Sequence, residues 1–136
     1  MQRIMGLDLG SKTIGVALSD PLGFTAQGHS VIRRLSLEED LQRLGEIIIS
    51  QEVAKIVLGF PKNMNNSIGP QAEASTHFAA ELERYFHLEV VLWDERLSSR
   101  QAEAILRQSS HDPKKRRAMI DMVAAVLILE SYLHKA

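Results

Sequence analysis

Apolar residues recur along the chain in two periods, and the change from one to the other marks out the elements. Arg3–Gly10 and Thr13–Ser19 are short, nearly unbroken apolar runs. Gly10, Ser11 and Lys12 between them suit a tight turn, so the pattern predicts an antiparallel hairpin. Pro21 and Gly23 mark a second turn, and Phe24–Ile32 follows as a third strand, weakened by Gly28. The spacing then becomes helical. Ser36 with Glu39 has the Ser-x-x-Glu capping pattern, and Leu37, Leu41, Leu44, Ile47 and Ile48 predict a helix to about Gln51. Lys55–Phe60 is a compact aliphatic strand that ends at Gly59-Phe60-Pro61, ahead of a polar loop rich in asparagine. Pro70, after Gly69, suits the first position of a helix reaching Tyr85. His87–Trp93 reads as the next strand, Ser98 or Ser99 caps a helix through Gln108, and Asp112-Pro113 opens a final helix to His134.

The predicted order is three strands, helix, strand, helix, strand, helix, helix. Strand-helix-strand passages imply parallel pairing with right-handed crossovers, whereas the opening hairpins imply antiparallel pairing. The expected fold class is therefore α/β: an RNase H-like fold with a mixed five-stranded sheet, three antiparallel strands then two parallel, flanked by about four helices. A chain of 136 residues has room for one core, so a single domain over residues 1–136 is expected.

Composition narrows the chemistry. Hydrophobic residues at 45% and charged residues at 24% give the balance of a folded, soluble protein. Cysteine is absent, which excludes disulfides and thiolate ligation and leaves oxygen or imidazole to hold any metal. The first twenty residues carry Asp8, Asp20 and repeated glycines where a signal peptide needs an unbroken apolar core. Ala118–Leu129, the most apolar run, is twelve residues long and interrupted by Asp121, too short to span a membrane. A cytoplasmic protein with no membrane partner is expected. With a net charge of −1, any nucleic-acid partner must be held by a local patch.

Three acids stand out. Asp8 ends the run Ile4-Met5-Gly6-Leu7, where ligand sites form at the strand ends of open α/β sheets; aspartate is equally at home starting the turn at Gly10 and Ser11. Glu95, in Asp94-Glu95-Arg96, emerges from the end of a second strand, and an exposed acidic turn neutralised by Arg96 would look the same. Asp121 is the lone polar side chain between Ala118 and Leu129, so it is expected to be largely buried and to need a partner. Arg117, at i−4, fits that part as an ion pair. Ala118, Ala124 and Ala125 argue otherwise, since small residues on that face let the helix carry Asp121 close to the strand ends.

If Asp8, Glu95 and Asp121 converge, hard oxygen ligands suit Mg²⁺ or Mn²⁺. Two such ions roughly 4 Å apart activate water for in-line phosphodiester cleavage without a protein nucleophile. Asp94 is a candidate auxiliary acid, and Asp20 a weaker one that fits the turn Asp20-Pro21-Leu22-Gly23.

Lys114-Lys115-Arg116-Arg117 occupies the first turn of the last helix, where the helix dipole disfavours cations. Phosphate contacts explain its place, as does a simply solvated face. Lys62, Asn63 and Asn65 offer a cation and amides ahead of a helix N-terminus, though asparagine also forms turns in its own right. Lys12, Arg96, Arg33 and Arg34 are further candidate contacts, while His29, His77, His87, His111 and His134 fall at unrelated positions.

Taken in order, the motifs resemble the bacterial YqgF-type pre-16S rRNA nuclease family, also described as Holliday junction resolvases. The opening motif is carried by Gly6-Leu7-Asp8-Leu9-Gly10-Ser11-Lys12, Ile14-Gly15-Val16-Ala17 and Ser19-Asp20-Pro21. The loop motif is similar to Gly59-Phe60-Pro61 with Asn63-Met64 and Gly69-Pro70-Gln71-Ala72-Glu73. The last two are similar to Asp94-Glu95-Arg96-Leu97-Ser98-Ser99 and Ile120-Asp121 with Ala124-Ala125 and Ile128-Leu129. Asn66 stands where glycine is expected, a mild departure because asparagine tolerates left-handed backbone.

The resemblance implies an RNase H-like nuclease with Asp8, Glu95 and Asp121 as its acids, processing the 5′ end of the 16S rRNA precursor in association with the ribosome. A second reading keeps the chemistry and changes the substrate to a four-way DNA junction, which requires a dimer; the sequence identifies no dimer face and suits a monomer or weak dimer. A non-catalytic ribosome-assembly module would keep the fold without a working site. Asp8-Leu9-Gly10 before a hairpin also resembles the first phosphate loop of actin and sugar-kinase ATPases, without an evident second one.

Overall fold

The structure, a computed structural model, describes residues 2–61, 68–94, 98–109 and 112–135; side chains at 98–100, 109, 113 and 115–118 lie outside that description. Its elements are β1 (Arg3–Leu9), β2 (Thr13–Ser19), β3 (Ala26–Arg33), α1 (Leu37–Ser50), β4 (Val53–Phe60), α2 (Pro70–Phe86), β5 (Glu89–Asp94), α3 (Ser98–Ser109) and α4 (Pro113–Leu133). The strands form one sheet in the order β3-β2-β1-β4-β5. β1 pairs antiparallel with β2, and β2 with β3, while β4 runs parallel to both β1 and β5. The expected mixed sheet is thus present, and β1, which carries Asp8, is its central strand.

Alternation along the strands separates two apolar layers. Met5, Leu7, Ile14, Val16, Ile56 and Leu58 face one side and pack with Leu41 and Leu44 of α1 and Phe78 and Leu82 of α2. Ala17 and Val57 face the other and meet Ala125, Ile128, Leu129 and Tyr132 of α4. The C-terminal half of α4 is fastened there. Trp93 stacks edge-on against Tyr132 at 5.3 Å and donates from Nε1 to Ser131 at 3.0 Å, and the Lys55 ammonium donates to the Tyr132 hydroxyl at 3.1 Å. α3 packs against α4 through buried Ala102 and Leu106.

The caps act as the sequence predicts at three helix starts. Ser36 accepts from the Glu39 N–H at 3.1 Å, Asp112 accepts from the Lys114 N–H at 3.0 Å, and Pro70 stands in the first turn of α2. Element edges move where side chains or special backbone intervene. β3 begins at Ala26 and not Phe24, because the Phe24 and Thr25 N–H groups donate to the Asp20 carboxylate and close a turn. β5 begins at Glu89 and not His87, because His87 ends α2 in the left-handed region (φ 55) with its N–H on the Glu83 carbonyl. β4 starts two residues earlier than expected, at Val53, directly after the turn that follows α1.

Candidate active site

Asp8 is buried near the C-terminal end of β1, 5% exposed. Strand alternation puts it on the same face as Gly6 and Gly10, the face that α4 covers. Across the hairpin its register partner is Gly15. These glycines form a trough in the sheet. A Cβ at Gly6 would stand 2.7 Å from the Cβ of Leu129; at Gly15 it would overlap the Asp121 carbonyl; at Gly10 it would overlap the Asp121 carboxylate. At Gly28 on β3 it would press on Met122 at 3.0 Å. The helix therefore rests on bare backbone, and Asp121 is set down over the two residues that flank Asp8, Gly15 across the hairpin and Gly10 two places along it. Ala124 and Ala125 are fully buried, and the Ala125 carbonyl would lie 3.1 Å from a Cβ at Gly6, so a small residue adds to the close approach on the helix side.

Asp121 is half-buried, in keeping with the burial expected of it, while Met119, two residues earlier, is 37% exposed. The partner of Asp121 among the described residues is the Thr13 hydroxyl, which donates to Oδ2. Thr13 begins β2 on the same face as Gly15 and Ala17. Arg117, the alternative partner by sequence, has its side chain outside the described residues. Thr13 was not legible as a site residue, since only the antiparallel register of the hairpin places it opposite Asp121.

The remaining candidates divide. Glu95 and Arg96 lie outside the described residues, as do Lys62, Asn63 and Asn65 of the asparagine-rich loop. Among the described residues no three His, Cys, Asp or Glu side chains come together as a metal-binding group. Asp94 closes β5 on the parity of Val90 and Leu92, and Val90 packs in the α1/α2 layer, so alternation turns Asp94 away from the face of Asp8. The auxiliary role expected for it is not supported. Lys12 is exposed at the hairpin turn, where its carbonyl accepts from the Arg34 N–H at 2.8 Å. Arg34 donates from Nη1 to the Gly10 carbonyl at 2.7 Å and so braces that turn. Lys114 is exposed at the start of α4, and the backbones of Lys115, Arg116 and Arg117 continue the helix toward Asp121.

Asp20 is a turn residue. Its carboxylate accepts from the Phe24 N–H at 2.7 Å and the Thr25 N–H at 2.9 Å. Those bonds, led by the one from Thr25, hold its pKa below the ordinary 3.8. A depressed carboxylate contributes stability that is present above 3.8 and is lost as pH falls through the lower, folded value. The stability difference between wild type and Asp20→Asn should accordingly be largest near neutral pH and shrink in acid. Urea melts across that range check it, and a difference independent of pH would show that the carboxylate's charge plays no part.

Two carboxylates on one face of a central strand end, with no thiol in the chain, make a hard oxygen donor set that fits Mg²⁺ or Mn²⁺. The family model of RuvX, described as Holliday junction resolvase, matches residues 2–135. A protein of Geobacillus sp. named "Putative pre-16S rRNA nuclease" is 55% identical over 136 residues, 96% of each chain. Among solved structures, the fowlpox virus resolvase in complex with Holliday junction DNA aligns with a TM-score of 0.59 at 13% identity, over 97% of both chains. RuvC of Thermus thermophilus with a Holliday junction substrate aligns at 0.52 and 12% identity, over 98% of this chain and 94% of that one. At such identities the likeness is one of fold, and the fold is RNase H-like.

Proposed function

Because the chain belongs to the RuvX family of Holliday junction resolvase-like nucleases, we propose that it is a metal-dependent nuclease in which Asp8, Glu95 and Asp121 hold Mg²⁺ or Mn²⁺. The observation that carries this reading is the seating of Asp121 on Gly15, the residue paired with Asp8. Two acids so placed repel each other, and a divalent cation offsets that cost. Glu95 directly follows Asp94, the last residue of β5, in the sequence. When bound, the cation supplies charge against the scissile phosphate and makes water a better nucleophile at neutral pH.

The protein's own part is to position. The sheet fixes Asp8 and the glycine trough fixes Asp121. Lys114, Lys115, Arg116 and Arg117, one to two turns ahead of Asp121, contact backbone phosphates, assisted by Lys12, Arg96 and the loop residues Lys62, Asn63 and Asn65. Water attacks phosphorus, the phosphodiester P–O bond breaks, and the leaving oxygen takes up a proton.

The substrate proposed is the precursor of 16S rRNA at its 5′ end, cut in the cytoplasm by the single domain over residues 1–136. The name of the 55% identical relative supports this choice. A four-way DNA junction is the second reading, favoured by the description of the family and by the junction-bound resolvase of the same fold. It requires a dimer, so a strictly monomeric mass in solution would count against it.

The test incubates purified protein with Mg²⁺ or Mn²⁺ and, in parallel, precursor rRNA and junction DNA. Metal-dependent cleavage of the precursor, abolished by chelator and by Asp8→Asn, is the expected result. Cleavage of the junction alone would transfer the activity to DNA, and binding of RNA without cleavage by any metal would point to a non-catalytic assembly module.

A further inference from the structure

Asp121 is half-buried near the middle of α4, where water can compete for its carboxylate and more than one side-chain rotamer is open to it in principle. Gly10 beneath it has no side chain to hold it in place. The Thr13 hydroxyl does so, donating to Oδ2 from the opposite side of the trough. Thr13 itself is locked. Its carbonyl accepts from the Gly10 N–H at 2.9 Å, its backbone pairs with Arg33 of β3, and the next residue of the turn, Lys12, is bonded through its carbonyl to Arg34. A β-branched residue on a strand also has few rotamers, so the hydroxyl is presented from a fixed point.

We propose that Thr13 is a positioning residue: its hydroxyl orients the Asp121 carboxylate so that the oxygen lone pairs it leaves unused face the divalent cation. This rests on Asp121 being a metal ligand. A carboxylate has about four acceptor sites, so one bond from Thr13 leaves the remainder for coordination. Partners of this kind typically alter metal affinity about 10- to 100-fold when removed. A bond that merely tied α4 to the hairpin would alter the melting temperature and leave metal affinity unchanged.

The test titrates Mn²⁺ into the full-length protein by calorimetry, with thermal melts alongside, for wild type, Thr13→Val, Thr13→Ser and Asp121→Asn. Thr13→Val should bind Mn²⁺ about 10-fold more weakly, Thr13→Ser should return to within about 3-fold of wild type, and Asp121→Asn should lose more than either. Thr13→Ala, which drops the hydroxyl without adding a methyl group at its place, substitutes for the valine variant if that variant fails to fold. If hydroxyl-free variants bind Mn²⁺ as wild type does while Asp121→Asn does not, Thr13 is structural and the inference fails. If Asp121→Asn also binds as wild type, the assignment of Asp121 itself fails, and that result is distinguishable from the first.

Discussion

Asp121→Asn should cleave more than about 100-fold more slowly than wild type while melting close to it, the loss exceeding what groups one shell further from a metal usually cost. Asparagine keeps the size of the side chain and its carbonyl oxygen still accepts from Thr13, so the seat of α4 on Gly15 is undisturbed. What it removes is the charge and one ligating oxygen. Asp8→Asn should behave alike in cleavage, since Asp8 shares the face and the hairpin register. Asp94→Asn is the comparison that gives these results meaning, because its strand parity turns it away and its rate should stay within about 3-fold of wild type, on the scale of an exposed surface change. Rates measured with saturating Mg²⁺ or Mn²⁺ and melts on the same samples check all three. An Asp121→Asn protein that cleaves at the wild-type rate would remove the acid pair from the mechanism.

Gly15→Ala should damage the fold and the activity together. A single methyl group there would overlap the Asp121 carbonyl and crowd the Met122 nitrogen, and those are main-chain atoms of α4 that cannot rotate aside. The helix has to lift. Overpacking of a well-packed interior costs about 1–3 kcal/mol, and contact with backbone belongs at the upper end of that range. A fall of roughly 10 °C in melting temperature follows for a chain of this size. Lifting α4 also withdraws Asp121 from Asp8, so cleavage should fall further than the unfolded fraction accounts for. Gly45→Ala in α1 provides contrast. Its methyl would meet the edge of Phe86 at 3.2 Å on the opposite face of the sheet, and exchanging glycine for alanine inside a helix gains up to about 1 kcal/mol. Activity should be unchanged there. Differential scanning calorimetry and cleavage rates on both variants separate the two outcomes.

The sheet and helices were legible because each element announces its own period. The hairpin, the helical leucines of α1, Pro70 and the Asp112 cap all work locally, through residues a few places apart, and locality is what a sequence displays. Asp8 was visible for the same reason, as an acid at the end of a central apolar run. The rest of the site depends on register and on contacts between distant segments. Thr13 and Asp121 are separated by 108 positions, and nothing near either one foretells the other. The small residues of α4 suggested a close approach, but its depth is set by Gly6, Gly15 and Gly28 on three different strands, which meet the helix only once the sheet is assembled. Asp94 misled because an acid at a strand end looks the same on either face; parity counted from Val90 and Trp93 decides its side.

The glycine trough also determines how the site can be lost. Local fraying usually releases a functional segment well before the rest of a protein opens, at a small fraction of the global free energy. Here the segment bearing Asp121 lies against the central strands main chain to main chain, and its far end is fastened through Tyr132 to Trp93 and Lys55. Separating the two acids requires uncovering the middle of the sheet, an event close to complete unfolding. Amide protons of β1 and β2 beneath α4 therefore belong with the slowest-exchanging in the molecule, and heat should remove activity and structure in a single cooperative step.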